Sequence, residues 1–163
     1  MSPKEKQKSI FTKAIHAGED RARYADSITT PIVQSSTYFF KDSKEIESYT
    51  KNSKKRYEYG RYGNPTEIVA QQRLMVLNSA DDALVFSSGM MAITTTILAL
   101  VESGDHIVIT DDCYGRTLEF CRTDLKRFGI DCTIVPFGDY ELLDSSIREN
   151  TRFVFSESPT NPY

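Results

Sequence analysis

Ala83 to Leu100 reads ALVFSSGMMAITTTILAL. A short apolar run, ALVF, ends in Ser87-Ser88-Gly89, and an apolar repeat at Met90, Ile93, Ile97 and Leu100 follows at once. The pattern predicts a strand, a tight turn of small residues and a helix N-terminus. Such a junction aims unpaired backbone N–H groups at one spot, in the positive end of the helix dipole. It is a ready site for an anion, most often a phosphate. Gly89 lets a ligand approach the backbone, and Ser87 and Ser88 add hydroxyl donors. A plain strand-turn-helix connection reads as well from these residues alone, since neither the dinucleotide glycine fingerprint nor the P-loop motif occurs.

Downstream the alternation is regular. Strands are predicted at Asp105 to Thr110 (DHIVIT), Asp131 to Val135 (DCTIV) and Thr151 to Phe155 (TRFVF). Helices are predicted at Tyr114 to Phe128, with Leu118, Cys121, Leu125 and Phe128 on one face, and at Asp139 to Asn150, with Leu142, Leu143 and Ile147. Gly129 is a candidate C-cap. The order β-α-β-α-β-α-β implies an α/β fold with a parallel sheet. Ligands in such sheets sit at the carboxyl ends of the strands. Ser87 to Gly89, Asp111 to Tyr114 and Glu157 to Asn161 should therefore face one crevice. The last strand has no covering helix after it, which predicts a fragment or a chain that needs a partner.

Upstream the pattern is weaker. The lysine-rich residues 1 to 10 are expected to be a loose end. Phe11 to Phe40 show no sustained period and read as an extended arm lying on this domain or on another subunit. Residues 43 to 51 predict a short helix capped by Ser43, and KNSKKR, Lys51 to Arg56, a solvated basic loop. Then comes YEYGRYGNPT, Tyr57 to Thr66. Asn64 is a good N-cap, Pro65 suits the first helical position and Glu67 the third. The helix is expected to run to about Leu77, burying Ile68 and Met75. Arg61 and Tyr59 could reach an anion together, as a fork donor and a phenol donor; packing of the tyrosines and a solvated arginine is the alternative.

Composition bounds the function. A chain of 163 residues suits one domain. Net charge is −3, without a basic stripe, so nucleic acid is not an expected partner. No run approaches the roughly 20 apolar residues that span a bilayer, and the N-terminus has no apolar signal core. Cys113, Cys121 and Cys132 read as reduced thiols of a cytoplasmic protein. His16 and His106 are too far apart in sequence to announce a metal site, and none is expected.

Four motifs in order, YEYGRYGNPT, VFSSGMMAI, DDCYGRT and FSESPTNPY, together with AIHAGED and PIVQSSTYFF, carry a resemblance. From about Lys13 to Tyr163 the chain resembles the pyridoxal-phosphate enzymes of cysteine and methionine metabolism. That family holds cystathionine γ-synthases, cystathionine and methionine γ-lyases and homoserine-ester sulfhydrylases. The details are most similar to plant-type cystathionine γ-synthases. The resemblance implies the parallel-sheet large domain of the aspartate-aminotransferase-like (fold type I) enzymes. Residues 1–56 would be an arm and short helix that contact another subunit, and 57–163 the first part of the cofactor-binding domain.

It also implies roles for single residues. The amides of Gly89 and Met90, helped by Ser88, would hold the phosphate of pyridoxal 5'-phosphate. Tyr59 and Arg61 would reach the phosphate of a neighbouring subunit's cofactor. Tyr114 would stack on the pyridine ring and assist proton movements. Asn161 would lie near the ring hydroxyl and the substrate carboxylate, with Glu157 in the same loop on the substrate side. Arg116 stands where plant-type γ-synthases carry a basic residue, and would read an anionic group such as the phosphate of O-phosphohomoserine. Glu119 departs from the arginine of many relatives.

The family's cofactor-anchoring lysine, in a Ser-x-Thr-Lys context, and the aspartate that pairs with the pyridine nitrogen do not occur in these residues. This stretch alone is therefore not expected to catalyse. The implied reaction is replacement of the γ-substituent of an activated homoserine by cysteine to give cystathionine; γ-elimination and sulfhydrylation are the alternatives. The implied partners are amino-acid substrates and further copies in a dimer of dimers, or a complementary C-terminal chain. A non-catalytic subunit that keeps only the phosphate cradle is a reading of another class.

Overall fold

The computed structural model describes residues 9–19, 26–51 and 56–160. The Lys-rich N-terminal residues 1–8, most of the basic loop (52–55) and Asn161 lie outside the described residues. Two compact units divide the chain, Met1–Val85 and Phe86–Tyr163.

The first unit is built on α1 (Ile10–His16), α2 (Ser43–Thr50) and α3 (Pro65–Leu77). Helix α1 falls inside the stretch expected to be an arm without period. Its seven residues make too few turns for a periodic signal. A Ser9 cap on the Thr12 N–H starts it, and packing against α3 completes it. Of the arm's other described residues, 30–40 are largely extended, as expected, and lie on residues of their own unit. Tyr38 N–H donates to Glu58 O at 3.0 Å and Gly60 N–H to Ser36 O, and Thr37 bridges Tyr59 antiparallel. Helix α2 is capped by Asp42, one residue before the expected Ser43. The Asp42 carboxylate accepts the Glu45 N–H, and the Glu45 carboxylate accepts the Lys41 N–H just before the cap, both at 2.8 Å.

Asn64 caps α3 as expected, with Pro65 at the first position. The Asn64 amide group also donates to Val33 O at 2.8 Å, and Val33 N–H donates to Thr66 Oγ1 at 2.9 Å, which ties the arm to the helix start. Ile68 and Met75 are half-buried rather than buried.

The second unit holds the sheet. Strands β1 (His106–Thr110), β2 (Asp131–Val135) and β3 (Thr151–Phe155) run parallel in the order β2-β1-β3. The expected strand at Ala83 to Phe86 is absent: these residues are not paired, and Leu84 is 72% exposed. A strand exists only by pairing, and among the described residues none offers an edge to this run. Helix α4 (Gly89–Leu100) follows as expected, with Ile97 buried; Leu100, at its end, is exposed instead of continuing the buried stripe.

All five residues of β1 are buried. Ile107 and Ile109 pack with Ile97, Leu118, Cys121 and Leu125 in one apolar cluster. The last three come from an unbroken helical run, α5 (Gly115–Glu119), a π turn (Phe120–Asp124) and α6 (Leu125–Arg127). Phe128, expected on the same face, is 54% exposed, because the π turn's wider spacing and the end of the helix carry it off the stripe. Gly129 follows with φ +74°, the left-handed conformation of a C-cap glycine. Helix α7 (Tyr140–Ser146), capped by Asp139, stops four residues short of the expected Asn150, and Ile147 is extended.

By strand alternation His106 lies on the face of β1 opposite Ile107. It is fully buried, and its ring nitrogens meet Thr151 Oγ1 on β3 at 2.7 Å and Thr133 Oγ1 on β2 at 2.8 Å. Arg148 donates to both threonine oxygens, from its backbone N–H to Thr151 at 2.7 Å and from its guanidinium to Thr133 at 3.2 Å. A cationic imidazole would press two more protons onto oxygens that already accept, beside a permanent cation. Burial first, then Arg148, holds the His106 pKa below its ordinary 6.5, with the Asp131 carboxylate opposing. As pH falls the unfolded chain therefore protonates first. The stability from neutral His106 is complete above the unfolded value and is lost as pH falls from there toward the folded one. The urea midpoint of the native protein should fall as pH drops through about 6.5 and below, and His106→Gln should flatten that fall.

Candidate functional site

The start of α4 is the cradle candidate. Ser88 is extended, and its hydroxyl accepts the Met91 N–H at 3.1 Å, so the serine is committed as N-cap. The N–H groups of Gly89 and Met90 precede the first intrahelical bonds and have no acceptor among the described residues. Nothing lies within 4 Å of where a Cβ on Gly89 would stand, so the approach to these donors is open. The glycine is not needed for its backbone angles; its use is clearance.

Met90 is joined to the next motif by Thr117, whose hydroxyl lies 3.7 Å from the Met90 sulfur. Thr117 N–H donates to Tyr114 O at 2.8 Å, closing the first turn of α5. Thr117 is fully buried and was not singled out from the sequence, although it ends the DDCYGRT motif. Tyr114 is 43% exposed, and its backbone N–H donates to Glu157 Oε2 at 3.0 Å. The loops after β1 and β3 thus meet, and Asp111 Oδ1 accepts the Phe137 N–H at 2.8 Å to bring in the loop after β2. These three strand ends surround a cleft of about 670 Å³, with Thr110, Asp112, Tyr140 and Glu157 in its lining. One oxygen of Asp112, Oδ1, is buried there without a partner.

The structure brings Ser88, Gly89 and Met90, Tyr114 and Glu157 into this one unit. The turn at Ser87 to Gly89 leads into α4 without the strand expected before it. Arg116 is exposed on the first turn of α5 and pairs with Glu119, one helical turn on. In the first unit, the Arg61 guanidinium stands over the rings of Tyr59 and Tyr62 at 5.3 and 5.5 Å. Gly63 has φ +142°, a conformation that L side chains rarely adopt, at the turn into Asn64. All three cysteines are free thiols. The Cys121 thiol is pushed well above its ordinary range, first by hydrogen bonding with Cys132 and then by burial. No helix among the described residues is long and apolar enough to cross a membrane.

An α/β unit with two open amide donors at a capped helix start fits a phosphate-bearing ligand. The profile of the Cys/Met metabolism PLP-dependent enzymes matches residues 11–163, and the chain belongs to that family. It is 42% identical over 153 residues to a chloroplastic cystathionine gamma-synthase 1 of Nicotiana tabacum, covering 92% of this chain and 28% of the relative. An L-methionine gamma-lyase of Treponema denticola is 37% identical, with 99% of this chain and 40% of the relative covered. Among solved structures, a putative O-acetylhomoserine (thiol)-lyase, metY, of Campylobacter jejuni superposes with a TM-score of 0.85 at 29% identity, covering 96% of this chain and 38% of that one. That crystal contains a pyridoxyl-lysine monophosphate residue. The chain thus spans well under half the length of these three proteins.

Two functions of Ser88 separate on substitution. Ser88→Ala should lower the stability of the protein by about 1 kcal/mol through loss of the cap, read from urea unfolding. Ser88→Asp caps equally well but sets a negative charge beside the open donors. It should keep stability while weakening inorganic phosphate or pyridoxal phosphate binding about tenfold or more, read by calorimetry.

Proposed function

We propose that the protein takes part in pyridoxal-phosphate-dependent replacement of the γ-substituent of an activated homoserine by cysteine, giving cystathionine. The observation that carries this reading is the start of α4: two open amide donors under a serine cap, with clear space at Gly89 and Tyr114 reached through Thr117. Those donors fit one face of a phosphate dianion, which also needs a permanent cation. In our reading Tyr59 and Arg61 supply the phenol and the cation to a neighbouring subunit's cofactor, so the site is completed by self-association. When bound, the cofactor supplies an electron sink for negative charge at the substrate's Cα. Tyr114 would cover the ring face and hold or move a proton at its phenol oxygen. Arg116 would read an anionic group at the far end of the substrate, and Asn161 would serve its carboxylate side. The anchoring lysine and the pyridine-nitrogen aspartate would come from outside residues 1–163. The free thiols support a reducing compartment such as the cytoplasm.

The 42% identity to a plant γ-synthase favours γ-replacement, and the lyase and thiol-lyase relatives keep γ-elimination and sulfhydrylation as second readings. Protein purified from its source, given O-phosphohomoserine and cysteine, should yield cystathionine by mass spectrometry. Release of a 2-oxo acid instead would assign it to the lyases. Protein that binds pyridoxal phosphate without visible absorption from a lysine-bound cofactor, and without turnover, would make it a non-catalytic subunit.

Arg116→Ala in the active enzyme should cut kcat/KM for the phosphate ester about tenfold more than for an acyl ester, since only the phosphate needs the guanidinium. Equal losses would remove Arg116 from substrate reading.

A further inference from the structure

The helical run from Gly115 to Arg127 begins without a local cap. Tyr114 occupies the cap position, and its side chain makes no cap hydrogen bond. A tyrosine has no short acceptor to turn back onto the first amides, so those donors need an oxygen from elsewhere. Glu157 brings one across 43 residues of sequence: its Oε2 accepts the Tyr114 N–H at 3.0 Å. A carboxylate there also faces the positive end of the helix dipole.

The neighbouring position is held separately. Burial pushes the Cys113 thiol above its ordinary range. That sulfur is buried and lies 3.4 Å from Thr110 Oγ1 at the end of β1. Cys113 is thus held by its own burial and the Tyr114 backbone by the side chain of Glu157, while the Tyr114 side chain is 43% exposed.

We propose that Glu157 is a positioning residue: its carboxylate caps the helix that starts at Gly115 and thereby sets Tyr114. This rests on the reading of Tyr114 given above, and it changes the part played by Glu157 from contact with substrate to control of the tyrosine's backbone. The requirement is for an acceptor at that point. Glutamine keeps one, whereas alanine and leucine do not.

The test uses the native assembly with Glu157→Ala and Glu157→Gln, and Glu157→Leu in place of Ala should the Ala protein not fold. Amide exchange is followed in cofactor-free protein, and steady-state kinetics in loaded protein. The acceptor-less variant should exchange amides 114–117 about tenfold faster and lose kcat at nearly constant KM. Gln should restore both to within about threefold, because its amide oxygen accepts the same bond. Unchanged exchange in the acceptor-less variant overturns the proposal, as does an equal rise of KM in both variants, which would return the carboxylate to the substrate. If no amino-acid substrate is turned over by the unsubstituted protein, the functional reading fails while the exchange result still decides the cap.

Discussion

Burial of β1 on every residue is the constraint on which the second unit rests. A strand enclosed between two parallel neighbours must satisfy all its polar groups inside the protein, or lose free energy comparable to a missing hydrogen bond for each. The backbone does so through the two ladders. The only ring with nitrogen on the strand, that of His106, does so through Thr133 and Thr151, one from each flanking strand. Side chain and main chain therefore bind the same three strands, and Arg148 closes the polar end of the sheet. With that end fixed, the opposite, carboxyl ends of β1, β2 and β3 emerge side by side.

The loops there are joined by a few directed bonds. Asp111 holds the loop after β2, and Glu157 holds the start of α5. Thr117 carries the chain of contacts on to Met90 at the start of α4. Two helix starts are thus positioned by one sheet edge. One presents open donors and the other presents an aromatic ring, the pair of surfaces that a flat, phosphorylated cofactor needs.

Much of this was legible in the residues. HIVIT, DCTIV and TRFVF are strands as expected, because short β-branched and aromatic runs between turn residues have few alternatives. Asn64-Pro65 and Ser87-Ser88-Gly89 mark helix starts through local chemistry, which sequence displays directly. The misses have nonlocal causes. ALVF has the right residues for a strand and no described partner to pair with. Helix α1 depends on a cap and on α3, and the π turn changes the face of the helix after Phe120 without any composition signal. Within the site, the motif carried Ser88, Gly89 and Tyr114, but the bond from Tyr114 to Glu157 spans two loops and could be seen only once the sheet had brought them together.

Asn64 carries a consequence for which sequences this fold accepts. Its carbonyl oxygen caps α3 on the Thr66 N–H at 2.8 Å while its amide nitrogen donates to Val33 O at the same distance. Aspartate caps helices as well but has no proton to give, and serine must use one atom for both tasks. Of the good capping residues, asparagine alone has an acceptor and a donor on separate atoms at this reach. Position 64 is therefore written in one letter: a helix start alone would tolerate several residues, and the strand-like arm laid against it reduces the choice to one.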